Sequence, residues 1–200
     1  YRNLRTNNKK RYMLSASLSY DITDWLNISG RVRIDNSNTK YEQKLYASSN
    51  PTLTEGSTQG FYAIAKPDES QVYADVLANV NKRFGDYSLV VNVGASIVDN
   101  KYDELSYRGP IRANGIPNVF NVFDLDNTQK KARQDEWEEQ TQSIFASAEL
   151  GWKSMLYLTL TGRNDWASQL ANSSATSFFY PSVGLSAVIS EMVKLPSAID

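Results

Sequence analysis

Apolar residues stand at every second position in seven separate runs of this chain, and that period limits what it can fold into. Tyr12, Leu14, Ala16, Leu18 and Tyr20 alternate with Arg11, Ser15, Ser17 and Ser19. Leu26, Ile28, Gly30, Val32 and Ile34 alternate with Asn27, Ser29, Arg31, Arg33 and Asp35. Val72, Ala74, Val76, Ala78 and Val80 stand opposite Tyr73, Asp75, Leu77, Asn79 and Asn81; Leu89, Val91, Val93, Ala95 and Ile97 stand opposite Ser88, Asn92, Gly94 and Ser96. Ile144, Ala146, Ala148, Leu150 and Trp152 then precede Leu156, Leu158, Leu160 and Gly162, with Ser143, Ser147 and Glu149, then Tyr157, Thr159, Thr161 and Arg163, on the opposite faces. The last run sets Phe179, Val183, Leu185, Ala187 and Ile189 against Ser182, Gly184, Ser186 and Ser190, with Val188 the exception on the polar side. Successive side chains of a strand point to opposite faces, whereas a helix repeats every 3.6 residues. The pattern therefore predicts an all-β chain, an antiparallel up-and-down meander of about seven strands. The runs are roughly 9 to 13 residues long. That suits the about 9–11 of a tilted membrane-spanning strand better than the about 5–6 usual in soluble sheets.

The connections alternate in length. Those near 21–25, 85–87 and 153–154 are short, and those at 37–71, 99–140 and 165–177 are long. Short turns at one rim and long loops at the other are the arrangement of outer-membrane barrels. Tyr12, Tyr20, Trp25, Phe84, Tyr87, Trp152, Tyr157, Trp166, Phe178, Phe179 and Tyr180 cluster at strand ends, as interfacial aromatic girdles do. No apolar stretch reaches the about 18 residues of a spanning helix, but spanning strands carry a far weaker signal. Seven is odd, whereas single-chain bacterial barrels have even strand numbers from eight upward. An open seven-stranded sheet would also bare two edges. The expectation is a contiguous piece of a larger barrel that stays insoluble without detergent. The competing architecture is a soluble β-sandwich carbohydrate-binding module, in which Leu156, Leu158 and Leu160 would pack on a second sheet.

Composition removes most chemistry. The chain of 200 residues has no histidine and no cysteine. Ser-His-Asp catalysis, histidine-ligated zinc, thiolate sites and disulfides are thereby excluded. A net charge of −1 offers no bulk attraction to nucleic acid. Arg31, Arg33, Asp75, Glu149 and Arg163 project to the polar face but set no nucleophile beside a base. No catalytic residue, cofactor or metal is expected. Asp124-Leu125-Asp126-Asn127 has oxygen ligands but lacks the further carboxylates and the glycine of a calcium loop, so it reads as a solvated turn.

The string Thr161-Gly162-Arg163-Asn164-Asp165-Trp166, followed by Phe178-Phe179-Tyr180-Pro181-Ser182-Val183-Gly184-Leu185-Ser186, resembles the SusC/RagA class of TonB-dependent outer-membrane transporters of Bacteroidetes. Tyr73–Asn81 and Phe84–Leu89 read like barrel hairpins of the same class, and the resemblance covers most of residues 10–192. It implies a barrel of about 22 strands around a plug. Residues 1–200 would then be a partial barrel domain, with the plug and the C-terminal strands absent. It further implies import of oligosaccharides, or of peptides in the RagA branch, across the cell outer membrane. A SusD-like surface lipoprotein would cap the barrel, and the TonB complex would act through the plug. Transport by gated passage, not chemical catalysis, is the implied activity. Within such a barrel Phe178, Phe179 and Tyr180 would sit at the extracellular interface, Pro181 at the start of the last strand, and its serines toward a wet lumen.

Phe61, Tyr62, Tyr107, Phe120, Trp137 and Trp166, together with Phe123, lie in or beside the long connections. Aromatics among Asn and Arg suit contact with substrate; packing within the loops, or contact with a capping partner, is the other reading. Trp137 sits inside the acidic run Asp135-Glu136-Trp137-Glu138-Glu139, which reads first as a solvated strand extension or loop, with stacking of Trp137 on a sugar face the sharper alternative. The apolar stretch Gly115–Phe123 suits docking on another extracellular loop or on the cap, with an internal loop staple as the other reading.

Overall fold

The computed structural model describes residues 3–192. Their strands form one antiparallel sheet of seven strands in sequence order, the meander that the alternation predicts. They are β1 (Leu4–Thr23), β2 (Leu26–Tyr46), β3 (Gly60–Phe84), β4 (Tyr87–Pro110), β5 (Lys131–Trp152), β6 (Leu156–Ala167) and β7 (Ser177–Ala187). A 3₁₀ turn at Ser168–Leu170 follows β6, and the helical turn α1 (Ile189–Met192) follows β7. Among the described residues no second sheet exists for Leu156, Leu158 and Leu160 to pack on, and Leu160 is 46% exposed. The sandwich reading therefore falls.

Three expectations are corrected. The first five strands are 20 to 25 residues long, not 9 to 13. The long connections shrink to match, to 47–59, 111–130 and 168–176. In stretches such as Asn36-Ser37-Asn38-Thr39-Lys40-Tyr41-Glu42 both alternating positions are polar or amphipathic. The backbone ladder continues there while the hydrophobic period that announces it disappears. Second, Pro181 is not at the start of the last strand. It lies inside β7, in register with Gly162, and β7 is the outermost strand of the sheet, where a missing donor is tolerated. Third, Ile189 and Ser190 belong to α1, because β7 ends at Ala187.

The turns have defined chemistry. Gly85 takes φ +59° between Phe84 and Tyr87, whose rings stack at 5.9 Å. Lys153 and Ser154 both take positive φ, 52° and 60°, and the Met155 N–H closes the turn on the Trp152 carbonyl at 2.9 Å. Two consecutive left-handed residues are the signature of a type I′ hairpin, whose twist matches the flanking strands.

The chain divides into two compact units. Among the described residues, one comprises 3–13, 35–71 and 100–138, and the other 14–34, 72–99 and 139–192. The second unit holds the amphipathic alternation. Its aliphatic face is open: Leu18 is 77%, Leu185 76% and Val183 73% exposed. Its opposite face is ordered by polar and aromatic contacts. Arg31 grips Asp75 through Nε and Nη2 at 2.9 and 2.8 Å, and Arg31 and Arg33 both lie 5.5 Å from the Tyr73 ring. Asn79 donates to Asn92, and Asn92 to Ser147, along one cross-strand line. Phe145 covers Gly94 so closely that a Cβ there would lie 2.5 Å from the ring, and Tyr157 covers Gly151 likewise at 2.9 Å. The first unit holds the buried hydrophobic residues. Leu45, Phe61, Tyr62, Ile111 and Leu125 make up the buried hydrophobic set among the described residues, and all five belong to it.

Candidate functional site

The first unit is built from polar strand extensions and two connections that lock together. Gly60, at φ +117°, passes so near β2 that a Cβ would lie 2.7 Å from the Leu45 carbonyl. The 47–59 connection is pinned by Thr54, fully buried, whose hydroxyl donates to the Ser57 carbonyl at 2.6 Å. Ser57 in turn donates to the Ile111 carbonyl at 2.7 Å. Within the 111–130 connection an isolated bridge joins Ile111 to Leu125, each 1% exposed, and Arg112 binds Asp124 at 2.7 Å. Asn118, at φ 66°, ties the two connections: its Oδ1 accepts the Ala47 N–H at 2.7 Å, and its N–H reaches the Gln59 carbonyl at 3.0 Å.

These contacts bring together three of the predicted aromatics. Phe61 and Tyr62 are each 4% exposed, and Phe120 packs against Tyr46 at 5.1 Å and Tyr62 at 6.2 Å. They form the loop core. The Tyr62 hydroxyl donates to Glu42 at 2.8 Å; burial, then that bond, pushes its pKa upward. Burial works to raise Glu42, but hydrogen bonds from Lys40 and Tyr62 and the nearby lysine charges outweigh it and hold the carboxyl low. Arg108 rests on the Phe61 ring at 5.7 Å, and Tyr107, its neighbour in sequence, is half-buried on β4. Phe123 lies at the surface, 81% exposed, with the Arg112 guanidinium 5.3 Å above its ring.

Asp124 and Asp126 are occupied within their own turn. Asp124 accepts from Arg112 and Asn121, and Asp126 accepts from the Thr128 hydroxyl and N–H. The bonds from Thr128, hydroxyl first, hold the Asp126 carboxyl below its usual range. No group of three potential metal ligands occurs among the described residues.

Trp137 stands apart from the loop core. It lies on β5 and stacks on Tyr102 of β4, with centroids 5.5 Å apart and planes at 9°. Trp137 remains 48% exposed. The Tyr102 hydroxyl donates to Glu104 at 2.6 Å, and that bond, followed by burial and the charges of Glu104, Asp135 and Glu69, pushes its pKa up to about 12. In the same unit Gln71 donates to Asn100 at 2.8 Å, and Arg133 pairs with Asp135 at 2.6 Å. The arrangement is a flat aromatic pair in hydrogen-bonding surroundings, with no acid–base couple directed at a substrate. It can hold a ligand by stacking and polar contact and has nothing with which to cleave one. Tyr102 escaped the sequence reading because it falls in the stretch taken for a loop; once β4 and β5 are extended, the two rings are neighbours across strands. Trp166 belongs to the second unit, in register with Gln142 and Ser177. With Ile97 and Ile144 it lines an apolar groove of about 900 Å³.

No curated protein matches the sequence. Among solved structures the chain is similar to the RagAB peptide transporter, with a TM-score of 0.79 at 14% identity over 97% of this chain and 21% of that one. The RagAB peptide importer in its open-open state gives 0.75 at 15% identity, over 92% and 20%. BauA, the ferric preacinetobactin receptor from Acinetobacter baumannii, gives 0.58 at 18% identity, over 90% and 28%. The chain thus spans about a fifth of the RagAB chains it matches. The profile of the TonB-dependent receptor-like β-barrel family matches residues 1–194. That family consists of outer-membrane transport receptors, not enzymes. The strand meander, the open aliphatic face and this match together place the chain in the TonB-dependent receptor-like β-barrel family.

Proposed function

We propose that the chain forms part of the wall and the outer vestibule of a SusC/RagA-like importer, one that takes up oligosaccharides or peptides. A SusD-like surface lipoprotein and the TonB complex are its partners, the latter through a plug that residues 1–200 do not include. The RagAB neighbours carry the peptide branch, and the stacked, half-exposed Tyr102–Trp137 pair is the observation that carries substrate contact. Such a pair gives a sugar ring or an aromatic or aliphatic peptide side chain a flat apolar face, with amides and carboxylates around it for orientation. Of the aromatics singled out in the sequence, Trp137 has the strongest claim to touch substrate. Phe61, Tyr62 and Phe120 act by shaping the loops, and Tyr107 is half-buried on β4. Trp166 is better suited to the membrane interface than to substrate.

The test uses the full-length receptor with its lipoprotein, titrated calorimetrically with oligosaccharide and peptide mixtures. One of the two ligand classes is expected to bind, and Trp137→Ala to weaken that binding by about tenfold, the upper end for an aromatic contact. Unchanged affinity in Trp137→Ala would remove this surface from the site. Saturable binding of a ferric siderophore, with neither of the other classes bound, would overturn the substrate assignment.

A further inference from the structure

The rings of Tyr102 and Trp137 stand among carboxylates of the first unit. The two rings are neighbours across β4 and β5, and one step along the strands Lys101 pairs with Glu138 at 2.9 Å, so the register of the two strands is fixed. Two residues from the rings, on the same face, Glu104 of β4 therefore stands across from Asp135 of β5. Like charges directly opposite each other repel. Arg133 answers one of them, pairing with Asp135 at 2.6 Å. Glu104 has no ion-pair partner among the described residues. Its Oε2 accepts the Tyr102 hydroxyl at 2.6 Å, which holds the carboxylate at the edge of the ring pair. Glu69 of β3 is a third carboxylate whose charge bears on Tyr102. Its only cation among the described residues, Lys9, lies 3.6 Å away with both side chains more than half exposed, a geometry in which an ion pair is weak.

The rings offer the surface that such a field needs. The β5–β6 register begins only at Thr141, so no strand is paired beside Trp137 on that side, and the indole is 48% exposed. The face of an aromatic ring attracts a cation, and indole does so best. A neutral sugar ring can lie on the same indole, but it leaves the opposed carboxylates uncompensated. A guanidinium compensates them. It is planar and weakly hydrated, so it stacks on the ring while its edge presents N–H donors to a carboxylate. An ammonium brings the charge without the flat face.

Resting on the reading of this pair as a substrate surface, we infer that Tyr102, Trp137, Glu104 and Asp135 form a subsite for a cationic side chain of a peptide, the arginine guanidinium above all. Trp137 supplies the face, Tyr102 backs it and anchors Glu104, and the two carboxylates supply the charge.

The experiment gives the full-length receptor, with its lipoprotein, an equimolar set of short peptides identical except at one central position. That position carries arginine, lysine, citrulline, glutamate or leucine, and the retained peptides are quantified by mass spectrometry. Citrulline matches arginine in shape and has no charge. The arginine peptide should be retained about fivefold over the citrulline peptide, the size of one exposed cation–π contact. Lysine should fall between them and glutamate last. Glu104→Gln should lower the arginine-to-citrulline ratio, as should raising the salt from about 0.05 to 0.5 M. Equal retention of the two peptides by the parent, with both weakened in Trp137→Ala, would overturn the inference and leave the substrate surface standing. Retention of every peptide unchanged in Trp137→Ala would remove the surface itself, and the inference with it. An arginine preference that neither Glu104→Gln nor salt reduces would belong elsewhere in the receptor and overturn the inference equally. So would binding of neutral oligosaccharides with no peptide retained. If Glu104→Gln fails to fold, the citrulline comparison and its salt dependence in the parent still decide the matter.

Discussion

Gly94 shows how one residue sets the spacing of this sheet. A Cβ there would meet the Phe145 ring at 2.5 Å and the Val76 carbonyl at 2.9 Å, so both a side chain and a neighbouring backbone stand in the way. Gly94→Ala should destabilise the full-length receptor by about 1–3 kcal/mol, the usual cost of overpacking. Urea titration in micelles measures it. Adding Phe145→Leu should recover only part of the loss, because the Val76 carbonyl stays where it is. Tyr102 supports a second expectation at this scale. Its pKa is raised to about 12, foremost by the hydrogen bond it donates to Glu104. A raised pKa means that the folded state prefers the protonated phenol. The stabilisation is therefore complete below the ordinary tyrosine value near 10 and fades as pH climbs toward 12. In an ultraviolet pH titration referenced to Tyr102→Phe, this tyrosine should stay neutral at pH 11, and Glu104→Gln should bring its ionisation down toward the ordinary range. An unchanged titration in Glu104→Gln would show that the carboxylate does not set it.

At the scale of elements, the number and order of the strands were legible in the sequence and their lengths were not. The run Leu89, Val91, Val93, Ala95, Ile97 declares a strand because one face must be apolar. In Asp99-Asn100-Lys101-Tyr102-Asp103-Glu104 neither face is, so the same β4 continues without a period to reveal it. What stabilises such stretches is pairwise, as in Lys101 with Glu138 at 2.9 Å or Gln71 with Asn100, and pairs between distant segments leave no trace in a single sequence. The candidate site was hidden for the same reason: Trp137 stood out by itself, but its partner Tyr102 becomes a neighbour only once both strands are extended. The aromatics Phe61 and Tyr62, in turn, looked available because hydropathy cannot tell a loop that packs on itself from one that does not. The Lys153-Ser154 turn gives a prediction about elements. Neither residue favours the left-handed conformation it holds. Replacing the pair with Asn-Gly, the preferred type I′ sequence, should raise stability by about 1 kcal/mol. A shift of the urea midpoint with unchanged slope is the expected sign, and a loss of stability would show that the turn is held by something other than its own backbone.

For the whole molecule the decisive property is the open aliphatic face of the second unit. Leu18, Val183 and Leu185, each more than 70% exposed, would be an aggregation hazard in water. In a receptor of the outer membrane they are the lipid contact, and the serines that alternate with them mark the wet side. The two sides of one strand can therefore be set against each other. Leu185 pairs with Leu158 in the β6–β7 register, and its neighbour Ser186 pairs with Tyr157 on the other face. An arginine facing lipid costs about 2–4 kcal/mol at mid-bilayer, whereas in a polar lumen it tunes the interior at small cost. Leu185→Arg in the full-length receptor should cut the fraction that folds into vesicles by at least tenfold, read by heat-modifiable migration on gels, while Ser186→Arg should fold nearly as well as the parent. A nitroxide label at Leu158 or Leu160 should likewise be reached by oxygen dissolved in the bilayer, and one at Thr159 should not. If Ser186→Arg proved the more damaging substitution, the assignment of the faces would be reversed.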